Sequence, residues 1–278
     1  MPELPEVETV KNTLKPQLIG QKITNINIHY EKMIKDITPE TFTQNLLDQQ
    51  FIDILRRGKY LIFELDDYYL LSHLRMEGKF FYNQKDAIRP QHTHVVLTLN
   101  SGDTLSYEDV RKFGTFHLYD KTTDLEQTAS FRVLGPEPWD ETFNVKTVKQ
   151  QLENKKMPIK SMLLSQKVVT GLGNIYVDEV LFASNIHPLT PSGQLNTTDI
   201  EKIITHTREI LQRAITFKGT TIKTFSSSHG SAGEFGQFLQ VHTKKDEPCP
   251  SCCTTIEKIK VGGRGTYFCR VCQIPPST

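Results

Sequence analysis

Residues 249–272 read CPSCCTTIEKIKVGGRGTYFCRVC and contain two Cys-x-x-Cys pairs separated by sixteen residues. The pairs are Cys249 with Cys252 and Cys269 with Cys272. Each pair can present two thiolates to one tetrahedral ion, and this spacing is typical of zinc ribbons. A module of about thirty residues cannot build an adequate apolar core, so metal binding should supply much of its folding free energy. The sequence therefore predicts one structural Zn²⁺ held by these four cysteines.

Between the two pairs, the segments IEKIKV and GTYFC predict the strands of a hairpin, with Gly262, Gly263 and Gly265 around the turn. Arg264 lies among these glycines, which would let the backbone come close to a ligand. An arginine at such a tip suits bidentate phosphate binding. A solvated turn arginine is an equally good interpretation of the spacing alone.

All five cysteines lie after residue 248. A disulfide scaffold would spread them along the chain and would suit a secreted protein, so the clustering favours metal binding inside the cell. Two pairs at this spacing also disfavour a redox role. Cys253 is surplus to the four ligands and is assigned as a free thiol; a register that used it in place of Cys252 would give Cys-x-x-x-Cys.

The 278 residues are enough for about two domains, each with its own core. The formal net charge of +1 neither demands nor excludes a nucleic-acid partner. No apolar run approaches the roughly 20 residues needed to span a bilayer. The acidic N-terminus lacks the apolar core of a secretory signal, so we expect an intracellular protein with no membrane partner.

The first 120 residues predict mostly strands. KITNINIHY alternates with period two, and KYLIFELDDYYLLSHL contains two apolar runs around Asp66-Asp67. HVVLTLNSGDTLSYEDV repeats this pattern around a turn at residues 100–103. Several strands at short spacing indicate an antiparallel sandwich or barrel.

After LGPEPW, residues 134–139, the apolar period changes to that of helices. TTDIEKIITHTREILQRAITFKG predicts the clearest helix, with a capping box of Thr198 and Glu201 and a stop at Gly219. Its apolar stripe indicates core and consists of Ile200, Ile203, Ile204, Ile210, Leu211 and Ala214. The following FSSSHGSAGEFGQF is polar and predicts a linker or mobile loop.

Some short motifs have both a structural and a functional interpretation. MPELPEVETV places Val7 and Val10 at helical spacing, which predicts a short N-terminal helix. GLGN ends in Asn174 and precedes a helix that is predicted from its apolar periodicity. Free N–H groups at the N-terminus of such a helix favour the binding of phosphate. Met76 and Phe113 lie beside arginines and a glycine; such residues are usually core, but on a DNA-binding face they would wedge between bases.

Six motifs in this order give the chain a clear family resemblance: PELPEVET, RRGKYL, HLRMEG, VRKFGT, GLGNIYVDE and the cysteine module with GRGTYFC. Together they resemble bacterial formamidopyrimidine-DNA glycosylase, over nearly the whole chain. The resemblance implies an α+β multidomain fold. Its predicted parts are an antiparallel β-sandwich (residues 1–130), a helix-two-turn-helix domain (131–222), a flexible lesion-recognition loop and linker (223–240) and a zinc finger (241–278).

The resemblance also implies a bifunctional enzyme that excises oxidised purines and then cleaves the DNA strand by β,δ-elimination. Pro2 would be the nucleophile after removal of Met1. A terminal amine has a pKa near 8, so a useful fraction is unprotonated at neutral pH. Glu3 would handle the proton of the sugar ring, Lys59 would assist β-elimination, and Arg264 would grip the lesion phosphate and assist δ-elimination.

Matched motifs further imply contacts with double-stranded DNA that carries oxidised purines or abasic sites. The residues implied to bind the backbone or the opposite strand are His92, Arg111, Lys155 and Asn174. Met76, Arg111 and Phe113 would fill the gap left by the extruded base. Residues 226–238 would cover that base. We expect a monomer in the bacterial cytoplasm, associated with the nucleoid through DNA.

Two other functions compete with this one. An endonuclease VIII-like enzyme would share the fold and nucleophile but act on oxidised pyrimidines; Leu4 in PELPE and the set of Met76, Arg111 and Phe113 favour the purine enzyme. A non-catalytic zinc DNA-binding protein would need neither Pro2 nor Lys59. The chain departs from the family pattern at Cys253, usually glycine, at residues 242–243, usually Tyr-Gly, and in residues 226–238, which leaves base preference open.

Overall fold

The computed structural model describes residues 1–84, 91–220 and 233–275. The chain forms two compact units: Met1–Thr128 with Lys218–Glu234, and Ala129–Phe217 with Phe235–Thr278. Residues 223–232 of the predicted lesion-recognition loop and linker lie outside the described residues. The finer division into four domains stays a prediction.

The first unit begins with helix α1 (Leu4–Leu18), which confirms the helix predicted from MPELPEVETV. Pro5 lies in its first turn, where a missing N–H is harmless, and Val7 and Val10 are buried on one face. The other elements of this unit are β1 (Ile23–Ile28), β2 (Ile34–Lys35), α2 (Pro39–Leu46), β3 (Phe51–Arg57), β4 (Tyr60–Leu65), β5 (Tyr68–His73), β6 (Lys79–Asn83), β7 (Thr93–Leu99), β8 (Thr104–Glu108) and β9 (Thr115–Asp120).

These strands form a four-stranded sheet in the order β1-β7-β8-β6 and a five-stranded sheet in the order β2-β9-β5-β4-β3. The hairpins predicted at residues 66–67 and 100–103 are confirmed as β4–β5 and β7–β8. Every pairing is antiparallel except that of the two-residue β2 with β9, which is parallel. The predicted sandwich is therefore confirmed, with one parallel strand at an edge.

One continuous apolar core joins both sheets and α1. Its centre contains edge-to-face aromatic contacts, with Phe80 5.3 Å from Phe63 and 5.1 Å from Tyr107 between ring centroids. Tyr107 also lies 4.9 Å from Phe116. Burial of such rings gives this unit a core large enough to fix the surrounding loops without metal.

Within its described residues, the second unit contains four α-helices and one hairpin. They are α3 (Val145–Leu152), α4 (Ile159–Leu164), α5 (Asn174–Ala183), α6 (Thr197–Thr216), β10 (Glu257–Val261) and β11 (Arg264–Phe268). The helix predicted after GLGN is confirmed as α5, with Gly173 at its N-cap.

Helix α6 confirms the predicted long helix, and its apolar stripe is buried except for the half-buried Ile210. The predicted capping box of Thr198 and Glu201 is wrong. The box is formed two residues earlier, by Asn196 and Asp199, whose side chains bond each other's backbone N–H. Asparagine is an equally good cap, so composition alone could not choose between adjacent polar residues.

The hairpin β10–β11 confirms the two strands predicted between the cysteine pairs. Val261 pairs with Arg264, so the turn consists of Gly262 and Gly263, with φ values of +54° and +78°. This is the conformation that a two-residue hairpin turn requires. Gly265, predicted near the turn, lies within β11.

Candidate active site

Pro2 and Glu3 are buried at the start of α1. Glu3 is the N-cap and forms a capping box with Glu6, whose Oε2 accepts the Glu3 N–H at 2.9 Å. Glu6 also reaches a distant part of the same unit, because its Oε1 accepts the Thr220 N–H at 2.9 Å. The backbone beside Pro2 is therefore fixed by carboxylates at both ends of the first helical turn.

Lys59 lies in the two-residue turn between β3 and β4, next to Gly58, and is buried with 7% of its surface exposed. The turn is tied to α1 through Arg56, which donates to Glu8 at 2.8 Å and to the Gly58 carbonyl at 2.9 Å. Burial alone would raise the pKa of Glu8, but bonds from Lys11 and Arg56 outweigh it and lower that pKa. The contact between Arg56 and Glu8 thus joins the helix that follows Pro2 and Glu3 to the turn that carries Lys59.

His73 is a buried neighbour of this site at the end of β5. Its ring packs edge-on against Tyr60, 4.6 Å away between centroids. Burial, together with the charges of Arg75 and Lys59, lowers the pKa of His73 to about 3. The ring is therefore neutral at physiological pH, and its Nδ1 accepts the Arg75 N–H at 2.9 Å.

The sequence-predicted DNA contacts of the first unit lie in loops. His92 and Arg111 are exposed, as is Phe113, and Met76 is half-buried. The Arg111 guanidinium lies 4.8 Å above the centroid of the Phe113 ring, within cation–π range. A large exposed apolar ring beside a cation is suited to contact with a stacked base.

The second unit carries the other predicted contacts. Lys155 is exposed in the turn after α3, and Arg264 is exposed at the start of β11. The Asn174 amide donates to the Gly265 carbonyl at 2.9 Å, one residue beyond Arg264. The Asn174 Oδ1 is buried and has no hydrogen-bond partner among the described residues.

The Gly265 carbonyl has a second donor, the Lys160 ammonium, at 3.2 Å. Lys160 and Asp178 form a 2.7 Å ion pair in which both side chains are 0% exposed. The other Asp178 oxygen bonds His242 Nδ1 at 2.8 Å and accepts the Tyr267 N–H at 3.3 Å. This buried network fixes β11, and with it the base of Arg264, to α4 and α5.

The four cysteines predicted as ligands come together. The sulfur atoms of Cys249, Cys252, Cys269 and Cys272 all lie within 4.8 Å of one another, and two of the pairs are 3.4 and 3.8 Å apart. Tetrahedral zinc with bonds of about 2.3 Å requires sulfur separations of about 3.8 Å. Bonds from Thr254 lower the pKa of the Cys252 thiol to about 6, whereas burial raises the pKa of the Cys269 and Cys272 thiols, so the fit to zinc rests on the geometry of the four sulfur atoms. The residues fit one structural Zn²⁺, and Cys253 is outside the set.

Sequence reasoning missed several residues that organise these sites. Lys160 is fully buried against Asp178, and nothing in its neighbours along the chain reveals a partner 18 residues away. Asp109 accepts three backbone N–H groups. Its position directly after a strand, in DVRKFG, was a signal for a side-chain-capped turn.

Among the described residues, no helix is both long and apolar enough to cross a bilayer.

Comparison with known families divides the chain into three matched regions. Residues 1–116 match the formamidopyrimidine-DNA glycosylase N-terminal domain, and residues 134–226 match the H2TH domain of the same enzyme. Residues 246–274 match the zinc finger found in FPG and IleRS. The matched regions follow the order of the sequence motifs.

Individual relatives resemble the chain over nearly its full length. It is 44% identical over 275 residues to formamidopyrimidine-DNA glycosylase of Mycoplasma genitalium, covering 98% of this chain and 96% of that protein. A complex of a Lactococcus lactis FPG mutant with Fapy-dG containing DNA superimposes with a TM-score of 0.93 at 44% identity, covering 98% and 100% of the two chains. MutM in complex with carbocyclic 8-oxo-G containing DNA gives 0.90 at 42% identity, covering 98% and 99%.

Proposed function

Because this chain belongs to the formamidopyrimidine-DNA glycosylase family, we propose that it excises oxidised purines from double-stranded DNA and cleaves abasic sites through a covalent intermediate at Pro2. Solved relatives contain Fapy-dG or 8-oxo-G in their DNA, and a Lactococcus lactis Fpg structure contains an abasic site. The substrates of this chain are therefore oxidised purine nucleotides and the abasic sites left by their removal.

The single observation that best supports this proposal is the placement of Pro2, Glu3 and Lys59 in one unit. Glu3 caps the helix that begins beside Pro2, and Glu8 on that helix bonds the arginine that holds the turn of Lys59. Met1 is exposed, so an aminopeptidase can reach it. Its removal would leave Pro2 with a free secondary amine.

In the proposed reaction the Pro2 nitrogen attacks C1′ of the damaged nucleotide, and the bond from C1′ to the base breaks. The departing base takes up a proton, Glu3 supplies a proton to the ring oxygen, and the opened sugar remains as an iminium on Pro2. The iminium is an electron sink, so loss of a C2′ proton expels the 3′ phosphate. Lys59 assists that proton transfer, and a second elimination expels the 5′ phosphate before water releases the enzyme.

Arg264 is proposed to grip the lesion phosphate and to assist the second elimination. A guanidinium keeps its proton under ordinary conditions, so its contribution is mainly electrostatic. The exposed side chains of His92, Arg111 and Lys155, together with Asn174, are proposed to contact the DNA backbone or the opposite strand. Met76, Arg111 and Phe113 are proposed to occupy the space left by the extruded base.

The structural zinc has no step of its own in this scheme. When bound to the four thiolates, it supplies folding free energy to the module that carries Arg264. We further propose that the protein acts as a monomer on the bacterial nucleoid, in the cytoplasm, where its substrate is found.

Single-turnover excision from defined duplexes tests the proposal. We expect release of 8-oxoguanine to be faster than release of thymine glycol, with a borohydride-trapped adduct on the 8-oxoguanine duplex. Faster release of thymine glycol would instead assign the endonuclease VIII-like activity. Absence of any adduct would leave a DNA-binding protein without lyase chemistry.

Lys59→Ala separates chemistry from phosphate binding. General acid–base catalysis typically accelerates a reaction by about 10²–10⁴-fold. The single-turnover rate of Lys59→Ala at saturating DNA should therefore decrease by a factor of about this size. Lys121→Ala is the matched control, because Lys121 follows the far end of β9 and pairs with Glu64. A wild-type rate for Lys59→Ala at saturation would remove Lys59 from the catalytic scheme.

A further inference from the structure

Two loops that run between the sheets of the sandwich lie side by side. Residues 74–78 lead from β5 to β6, and residues 109–114 lead from β8 to β9. Because β5 pairs with β9 and β6 pairs with β8, the loops leave and enter neighbouring strands at the same end of the sandwich. The register pairs His73 with Thr115 and Lys79 with Glu108, directly at the loop ends. This topology brings Met76 to the loop that carries Arg111 and Phe113.

Asp109 organises the second loop through its side chain. The carboxylate is buried, and its Oδ1 accepts the Arg111 N–H at 3.0 Å. Its Oδ2 accepts the N–H groups of Phe113 and Gly114, each at 2.8 Å. Charge-assisted bonds from three N–H groups to one buried carboxylate fix the backbone on both sides of Lys112, which itself has a φ of +59°.

The backbone of Asp109 extends this support to the neighbouring strand β7. Its N–H donates to the His92 carbonyl at 3.2 Å, and its carbonyl accepts from the His94 ring at 2.8 Å. The same carbonyl accepts the Lys112 N–H at 3.2 Å. One residue thus ties together His92, Arg111 and Phe113, all three of which are proposed to contact DNA.

The side chain of Tyr107 packs against both loops. Its side chain is buried, and its hydroxyl touches the last residue of each loop. A Cβ added at Gly78 or at Gly114 would lie 2.0 or 1.7 Å from this oxygen, so both positions require glycine. The loops therefore cannot move independently of the aromatic core.

We propose that Asp109 is a positioning residue for base extrusion, holding the backbone of residues 111–114 so that Arg111 and Phe113 enter the DNA as a preformed wedge. The inference rests on the proposed function, because a wedge is needed only where a base leaves the stack. A rigid wedge retains more of its contact free energy than a loop that must be ordered on binding. Without the carboxylate, three N–H groups of the loop lose their acceptor. The free energy needed to order the loop on binding would then oppose extrusion of the base.

Asp109→Asn tests the inference with little change of volume. The amide keeps one acceptor oxygen and replaces the other with NH₂, so one or two of the three bonds are lost. We expect excision of 8-oxoguanine from duplex DNA to fall about 10- to 100-fold at saturating DNA, the equivalent of one or two charged hydrogen bonds. The fluorescence rise of 2-aminopurine placed opposite the lesion, which reports wedge entry, should slow by a similar factor.

A substrate without a stacked base provides the discriminating control. Borohydride trapping on a single-stranded oligonucleotide with a preformed abasic site needs Pro2 but no wedge, so Asp109→Asn should trap at the wild-type rate. Asp120→Asn is the matched variant, because Asp120 accepts two bonds from Thr122 at the opposite end of β9. It should behave as wild type on both substrates.

Three results would overturn the inference. Equal losses on the duplex and on the single strand, shared by Asp109→Ser, would show a general structural role and overturn the inference. Wild-type excision and 2-aminopurine kinetics in Asp109→Asn would also overturn it. A wild-type protein that traps on neither substrate would refute the proposed function itself, and the inference with it.

Discussion

Lys59 and Arg264 occupy similar local structures but very different surroundings. Each lies at a two-residue turn between antiparallel strands, Gly58-Lys59 after β3 and Gly262-Gly263 before Arg264. Lys59 is buried in a unit whose continuous core spans two sheets and a helix. Arg264 is exposed on a hairpin beside a small core cluster, which among the described residues has five buried members, two of them the cysteines Cys249 and Cys269.

The difference shows two ways to hold a cation that is proposed to act on DNA. In the sandwich, apolar burial and a few carboxylates fix the loops, so no metal is needed. In the hairpin, apolar burial is too small, and the zinc thiolates and the buried pair of Lys160 and Asp178 replace it. The two regions should therefore lose their folded structure under different perturbations.

Removal of zinc should have the largest effect, and only on the hairpin. Cys269→Ser should reduce the zinc content from one ion per chain to none, because the ion loses one of its four thiolate ligands. Loss of the ion removes a binding free energy of roughly 10–16 kcal/mol that stabilises the folded module. Amide hydrogen exchange in β10 and β11 should then become fast, while exchange in β3 and β4 stays as in the wild type. Cys253→Ser is the control and should keep its zinc.

Retention of zinc in Cys269→Ser, with protected β10 and β11, would contradict the ligand set. Loss of zinc in Cys253→Ser instead would establish the alternative register that uses Cys253 in place of Cys252.

Breaking the buried ion pair should be the next largest effect. Lys160→Met leaves the Asp178 charge buried without its ammonium, which costs about 3–5 kcal/mol in comparable sites. Amide exchange of Tyr267, whose N–H bonds Asp178, should report the loss. The double variant Lys160→Met with Asp178→Leu should regain much of the stability, and Lys156→Met, an exposed neighbour, should change little.

An equal loss in the single and double variants would mean that packing, not the unpaired charge, holds the hairpin.

The sandwich should be sensitive to acid through His73. Its pKa is about 3 in the folded protein and near 6.5 in the unfolded chain, so the unfolded state binds the proton first. The lowered pKa of His73 therefore contributes fully to the free energy of unfolding above pH 6.5, and this contribution is lost as the pH falls toward 3. The free energy of unfolding should therefore fall by up to about 1.4 kcal/mol per pH unit in this window.

His73→Asn keeps an acceptor for the Arg75 N–H but does not titrate, so it should flatten that slope. An unaltered slope in His73→Asn would assign the acid sensitivity to other groups.

The smallest effect is expected for an ion pair on the surface of the same unit. Lys15 lies 2.6 Å from Asp53, and its hydrogen bond is the main cause of the lowered pKa of that carboxyl. Both side chains are solvated, so Lys15→Met should cost less than about 1 kcal/mol, and less in high salt. Urea unfolding at two ionic strengths measures this, and a cost like that of Lys160→Met would contradict the role given to burial.

The sequence predicted what local patterns determine. Apolar periodicity placed α1 and α6, turn residues placed the hairpins, and paired cysteines placed the metal module. These features depend on residues close together in the chain, where spacing carries the information. The misplaced cap of α6 is the exception, because Asn196 and Thr198 are both good caps.

Contacts between distant segments were not predictable in the same way. Asp178 meets His242 across 64 residues, and Glu6 meets Thr220 across 214. No periodicity encodes such pairs; they arise only when the helices and strands pack. The resemblance to a known family named side chains that are proposed to contact DNA, but not the buried groups, such as Asp109 and Lys160, to which their loops and strands are bonded.

The identity of the residue bound to the DNA tests the central claim most directly. The protein would be trapped with borohydride on an 8-oxoguanine duplex and digested, and the peptide that carries the nucleotide would be sequenced by mass spectrometry. We predict one modified peptide, beginning at Pro2 and modified on its nitrogen, and no adduct from protein whose N-terminus is blocked. Modification of the peptide that contains Lys59, or full trapping by the blocked protein, would contradict the claim that Pro2 is the nucleophile.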